Sequence, residues 1–115
     1  MKDIDILMKE GRFSGGALAS AKVWWIDPTK YPRRMYSKDM LLIGFAVGKK
    51  VSKSAVKRNR IKRQMREVVR LLLKENKLKV GAMVLIIAKP EIVGAEYAVI
   101  EKSITDTLRS ARLFT

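Results

Sequence analysis

The sequence predicts an α+β fold, a two-layer sandwich with elements in the order αβββαβα, and three features of its hydropathy pattern predict it. Ala17 to Ile26 alternates with the period of a strand. Leu41 to Val47 and Ala82 to Ala88 are short, nearly continuous apolar runs bounded by turn residues. Ala55 to Lys74 and Glu96 to Arg112 carry apolar residues at steps of three and four, the spacing of amphipathic helices. At 115 residues the chain is expected to form one domain, 1–115, large enough to bury a core without staples. The sequence has no cysteine, which removes a disulfide framework and a thiolate metal site. It has no stretch of 18 apolar residues and no basic segment leading into an apolar run at its start. Neither a membrane span nor a secretion signal is therefore expected, and cytoplasm is the expected location.

Each element has its own warrant. Residues 3–10 open on Asp3 and Asp5 and place Ile4, Leu7 and Met8 at helical spacing, so a short helix ends before Gly11. Arg12 to Ser14 makes a short strand. In the longer strand, Ala17, Ala19, Ala21, Val23 and Trp25 form a wholly apolar face, and Leu18, Ser20, Lys22, Trp24 and Ile26 a mixed one. On that mixed face Trp24 beside Lys22 offers a stacking plane plus a cation, which suits unpaired bases. Packing of both tryptophans in the core or at a sheet edge explains them equally well. Pro28 and Pro32 make 27–34 a loop, whose Arg33 and Arg34 are open to RNA contact or to solvent.

Leu41 to Val47 reads as an inner strand. Gly44 and Gly48 followed by Lys49 evoke a phosphate loop, but four residues are needed between the glycines and a hydroxyl residue after the lysine, so nucleotide hydrolysis is set aside. Asn76 to Gly81 turns the chain into the strand Ala82 to Ala88, closed by Pro90. Strand, helix, strand implies parallel pairing, and such crossovers are right-handed in about 98% of cases. In the last helix Tyr97, Ile100, Ile104, Leu108 and Ala111 would cover the sheet.

Charge singles out the middle helix. From Lys49 to Lys74 there are eleven Lys or Arg against one acid, Glu67, so this quarter carries +10 of a net +14. Ile61, Met65, Val68, Val69 and Leu72 share one side; Asn59, Arg63, Arg66 and Arg70 lie opposite within an arc of about 60°, flanked by Arg60 and Lys62. Ser54 stands where an N-cap is needed for a helix from Ala55 to Lys74. Lys57, Arg58, Asn59 and Arg60 then sit in its first turns, where the macrodipole disfavours each cation by about 0.3–1 kcal/mol. A solvated helix face would normally be laced with Glu four residues away, and this one is not. A polyanion supplies the missing compensation: phosphates release counterions to Lys and Arg, and the arginine fork holds phosphate bidentately. Lys49, Lys50, Lys53, Lys57, Arg58, Asn59, Arg60, Lys62, Arg63, Arg66 and Arg70 are the candidate RNA-binding residues. Short basic runs also resemble nuclear-localisation signals, but the regular apolar register favours a folded helix.

Gly44-Phe45-Ala46-Val47-Gly48-Lys49-Lys50-Val51, followed by Ala55-Val56-Lys57-Arg58-Asn59-Arg60-Ile61-Lys62-Arg63 and Arg66-Glu67, resembles the signature of the protein subunit of bacterial ribonuclease P. The likeness continues in Gly11-Arg12-Phe13-Ser14-Gly15 and in Val84-Leu85-Ile86-Ile87-Ala88-Lys89-Pro90, so it spans nearly the whole chain. It implies a left-handed crossover, an RNA subunit that performs the catalysis with Mg2+, one protein copy per RNA, and precursor tRNA as substrate. It also implies a cleft between the first helix and the sheet that receives the 5′ leader, with Met8, Phe13, Trp24, Phe45 and Val47 as candidate lining, although core packing accounts better for Val47. Many family members carry aromatic residues where this chain has Ile4 and Met8, so contact from the first helix would be apolar packing.

For the isolated chain, catalysis is not expected. Histidine is absent and the eleven acids are scattered along the sequence. No metal site of the protein can be named from the sequence. Two other classes share some of these features: a general RNA-binding or ribosomal protein, which would footprint on ribosomal RNA, and a metal-dependent nuclease, which would cut precursor tRNA without an RNA subunit.

Overall fold

Helical periodicity and strand alternation meet in one core. A computed structural model describes residues 2–115, with helix α1 at Lys2–Glu10, strands β1 at Arg12–Ser14, β2 at Ala19–Trp25 and β3 at Leu41–Ala46, helix α2 at Ala55–Lys74, strand β4 at Ala82–Ala88 and helix α3 at Tyr97–Ser110. The order is the expected αβββαβα. Single 3-10 turns at Pro32–Arg34 and Pro90–Ile92 punctuate the loops, each with a proline that presets its first φ.

The four strands form one sheet in the order β1-β2-β4-β3; β2 is antiparallel to β1 and β4, and β3 runs parallel to β4. Strand parity then divides the core in two. Ala19, Ala21, Val23, Val84 and Ile86 face the layer of α2 and α3, where they meet Met65, Val68, Val69, Ile100, Ile104 and Leu108. Trp24, Met83 and Leu85 face the other way and are covered by Ile6 and Leu7 of α1. The small Ala19, Ala21 and Ala82 let the helices approach the sheet closely; Ser103 and Thr107, the polar residues on the buried side of α3, bond backbone at Leu18 and Ala19.

The inner-strand reading of Leu41 to Val47 is corrected. β3 is an edge strand, paired with β4 alone. Its continuous apolar character comes from helices on both faces, since α2 packs on one side and α1 borders the other. A run of apolar residues reports two covered faces, which an edge strand between helices has as well as a central one.

The side of α2 that meets the core is the one its spacing marks out, with Ile61, Met65, Val68 and Val69 buried. Met65 is fully buried at its centre. Met65→Ala is therefore expected to cost about 2–5 kcal/mol, read as a thermal midpoint lowered by roughly 10 °C or more; a loss under about 1 kcal/mol would mean that this ridge is not seated as described.

Candidate nucleic-acid interface

The basic helix starts on a cap. The Ser54 side chain accepts the Lys57 N–H at 3.3 Å, and the Ser52 hydroxyl oxygen accepts the Ser54 N–H at 3.2 Å. Lys49, Lys50 and Lys53 sit exposed on the turn leading in, and Lys57, Asn59, Arg60, Arg63 and Arg66 stand exposed on the helix, with Lys62 half-buried. Two predicted contacts are partly engaged by the fold. Arg58 is half-buried and donates from Nη1 to the Ser52 carbonyl at 2.9 Å, bracing the turn that carries Lys49 to Lys53. Arg70 forms a fork on Glu67, with contacts of 2.9 and 2.6 Å, and this holds the Glu67 carboxyl below its ordinary range. Among the described residues, Arg70 is the one cation of α2 in an ion pair. The arc of positive charge is rigid because the opposite side of the same helix is core, and unneutralised because nearly all of its cations lack carboxylate neighbours.

A shallow apolar groove lies between α1 and β3, lined by Ile4, Leu7, Leu42, Gly44, Met83 and Leu85. Of the predicted cleft residues, Met8 and Phe13 are exposed, and Phe13 pairs across the sheet with Lys22, whose Nζ donates to the Met8 carbonyl of α1 at 3.2 Å. Two other assignments, Trp24 and Val47, are corrected, and that of Phe45 holds in part. Trp24 is only 6% exposed, in T-shaped contact with Tyr31 and Tyr36 at ring separations of 5.7 and 5.5 Å, and at that burial it offers no ring face to an incoming base. Val47 is buried in the main core. Phe45 does border the α1 groove, but its ring, opposite Ile86 in the parallel register, packs on the face turned toward α2, where Arg66 lies 6.0 Å above it. Leu42 and Gly44 have the opposite parity and border the α1 groove as well. The alternation of β3 carried that signal, as Leu42, Gly44 and Ala46 must share one face and Leu41, Ile43 and Phe45 the other.

Polar ties fasten α1 over the sheet, joining residues with no local pattern between them. The Asp3 carboxylate accepts from the Tyr36 hydroxyl and, at 2.9 Å, from Arg34 Nη2. At the other end Lys30 meets Glu10 at 2.5 Å. Arg34, open to an RNA role by sequence, is thus a clip between the loop and α1, while Arg33 stays exposed.

Among the described residues no helix is long and apolar enough to cross a membrane, and no three acidic side chains stand close enough to hold a metal ion. The fold and its charge define a basic α+β domain with one rigid cationic helix. A sequence model of the Ribonuclease P family matches residues 9–112, and the chain belongs to that family. It is 37% identical to the ribonuclease P protein component of Chloroflexus aggregans over 105 residues, which cover 90% of this chain and 71% of that protein. With the component of Synechococcus sp. (strain JA-2-3B'a(2-13)) it shares 39% identity over 71 residues, 62% of this chain and 52% of that protein. The chain thus spans between half and seven tenths of the length of these relatives. In fold it is similar to the RNase P protein of Staphylococcus aureus, at a TM-score of 0.78 and 21% identity over 99% of this chain and 93% of that one. It is similar also to the RNase P protein of Thermotoga maritima, at a TM-score of 0.75 and 17% identity over 94% and 90%.

The Asp3 clip carries a pH signature. Hydrogen bonding from Tyr36, and then from Arg34, holds the Asp3 carboxyl below its ordinary range against the opposing effect of burial. A depressed folded pKa contributes stability above the unfolded value and loses it as pH falls through the folded one. Asp3→Asn is expected to lower stability by about 1 kcal/mol at pH 7, the exposure of the carboxylate keeping the effect small. In denaturant melts the gap should close as pH is lowered through the carboxylate range; a gap that persists in acid would contradict the clip.

Proposed function

We propose that this chain is the protein subunit of a ribonuclease P holoenzyme, which hydrolyses precursor tRNA to remove the 5′ leader. The observation that carries the proposal is the cationic face of α2, on the residues that resemble the family signature, left almost without carboxylate partners. In this reading Lys57, Asn59, Arg60, Lys62 and Arg63 grip the backbone of the RNA subunit, Arg58 helps hold the turn in shape, and Lys49, Lys50, Lys53, Arg66 and Arg70 extend the electrostatic surface. The chemistry belongs to the RNA subunit and its Mg2+, and no step is assigned to a metal held by the protein. The leader of the precursor lies along the groove between α1 and β3, touching Ile4, Leu42 and Leu85, with Met8 one turn further along α1, whereas Phe13 stands on β1 at the opposite sheet edge. One protein per RNA, in the cytoplasm, completes the proposal.

The test is reconstitution. Purified chain, precursor tRNA and the ribonuclease P RNA are combined at low salt and near-physiological Mg2+, with each macromolecule omitted in turn. Leader removal is expected whenever the RNA subunit is present, improved by the chain; cleavage by the chain alone would favour a protein nuclease and overturn the proposal. In the same assembly, affinity is expected to fall by roughly 10³–10⁵ between 50 and 200 mM salt if about six to ten phosphates are neutralised. Arg60→Ala should lower the salt slope by about one with the fold intact. A flat salt response would remove the polyanion reading.

A further inference from the structure

The sheet edge farthest from α2 carries a second cationic and aromatic surface. α2 packs over β3, whereas α3 packs over β2 and β1, so the β1 edge lies on the other side of α3 from the basic helix. There, at the C-terminal end of α3, Arg12, Trp25 and Arg112 line one groove with Ser110 and Ala111. Trp25 is 42% exposed while its neighbour Trp24 is buried, because the two point to opposite faces and the partners of Trp24 cover one face only. The Arg12–Val23 pair ends the β1 ladder, so no strand residue lies beside Trp25 on that side.

Charge decides what fits this groove. Among the described residues, neither Arg12 nor Arg112 has a carboxylate within ion-pair distance, and none of the residues lining the groove is acidic. The C-terminus of α3 contributes about half a negative charge, against which two full positive charges leave a clear excess. Arg112 occupies the left-handed position after the helix, at φ 63°, with the Leu113 N–H closing onto the Leu108 carbonyl at 3.1 Å. Glycine usually takes that position; here an arginine holds it.

We infer that this groove is a second RNA contact, taking an unpaired nucleotide whose base stacks on the Trp25 indole while its flanking phosphates meet Arg12 and Arg112. A ring face with two cations beside it binds any exposed base, whereas a paired base within a duplex has no free face to offer. The inference rests on the reading of the chain as an RNA binder and adds a site remote from α2.

The test measures affinity of the full chain for a short single-stranded oligoadenylate and for duplex RNA of the same length. Trp25→Ala is expected to weaken single-strand binding by roughly 5- to 100-fold and to leave duplex binding unchanged. Arg12→Gln with Arg112→Gln, which alters only exposed side chains, should do the same to a lesser degree and stands in if the tryptophan variant fails to fold. Arg60→Ala should weaken both RNAs. Single-strand binding that survives both sets of changes, or a loss shared equally by the duplex, would overturn the inference, and the groove would then be free for a protein partner. A wild-type chain that binds neither RNA would instead defeat the functional proposal itself.

Discussion

The burial of Ile61, Met65, Val68 and Val69 beneath α2 is the constraint from which the rest of the structure follows. Four such side chains, at about 1.5–3 kcal/mol each, contribute roughly 6–12 kcal/mol toward holding the helix in place. The cations in its first turns oppose the helix dipole by about 0.3–1 kcal/mol each, so burial prevails by a wide margin. The same seating fixes where the charges point. A helix with one side locked into the core must present Asn59, Arg63, Arg66 and Arg70 on the other, and the Ser54 cap sets the phase at its start.

The sheet is the plate on which this is mounted, and it is used on both faces. Toward α2 and α3 it offers alanines, valines and isoleucines. Toward α1 it offers Trp24, Met83 and Leu85, and α1 is held there by two apolar residues together with ties from Lys22, Lys30, Arg34 and Tyr36. Three of those ties come from basic side chains. Cations in this protein therefore fall into two groups: those paired with carboxylates, such as Arg34 and, on the surface, Arg70, and those left without carboxylates, such as Arg60 and Arg63. The partition gives the positive charge a direction.

The helices were the most legible part of the sequence. α2 runs over the residues its period marked, since a 3.6-residue repeat and a serine cap are both local signals. The parallel pairing of β3 and β4 followed from the helix between them. The place of β3 at the sheet edge was hidden, because two covered faces produce the same apolar run wherever a strand lies. The tryptophans show the same boundary. Alternation established that Trp24 and Trp25 face opposite ways, but which one is buried depends on Tyr31 and Tyr36 folding back from a loop, a long-range event with no local mark. Asp3 read as an ordinary helix-start acid, and its bond to Tyr36 spans 33 positions.

A positive charge held in one orientation against folded RNA can be read with a tethered cleaver. Because the sequence has no cysteine, Gln64→Cys on α2 gives a single attachment point for an iron chelate that generates hydroxyl radicals. With ribonuclease P RNA, strand scission is expected at a few discrete positions and is lost when salt dissociates the complex. Scission spread evenly along the RNA, or the same pattern on unrelated RNA of equal length, would show charge that attracts without docking and would contradict a single held orientation.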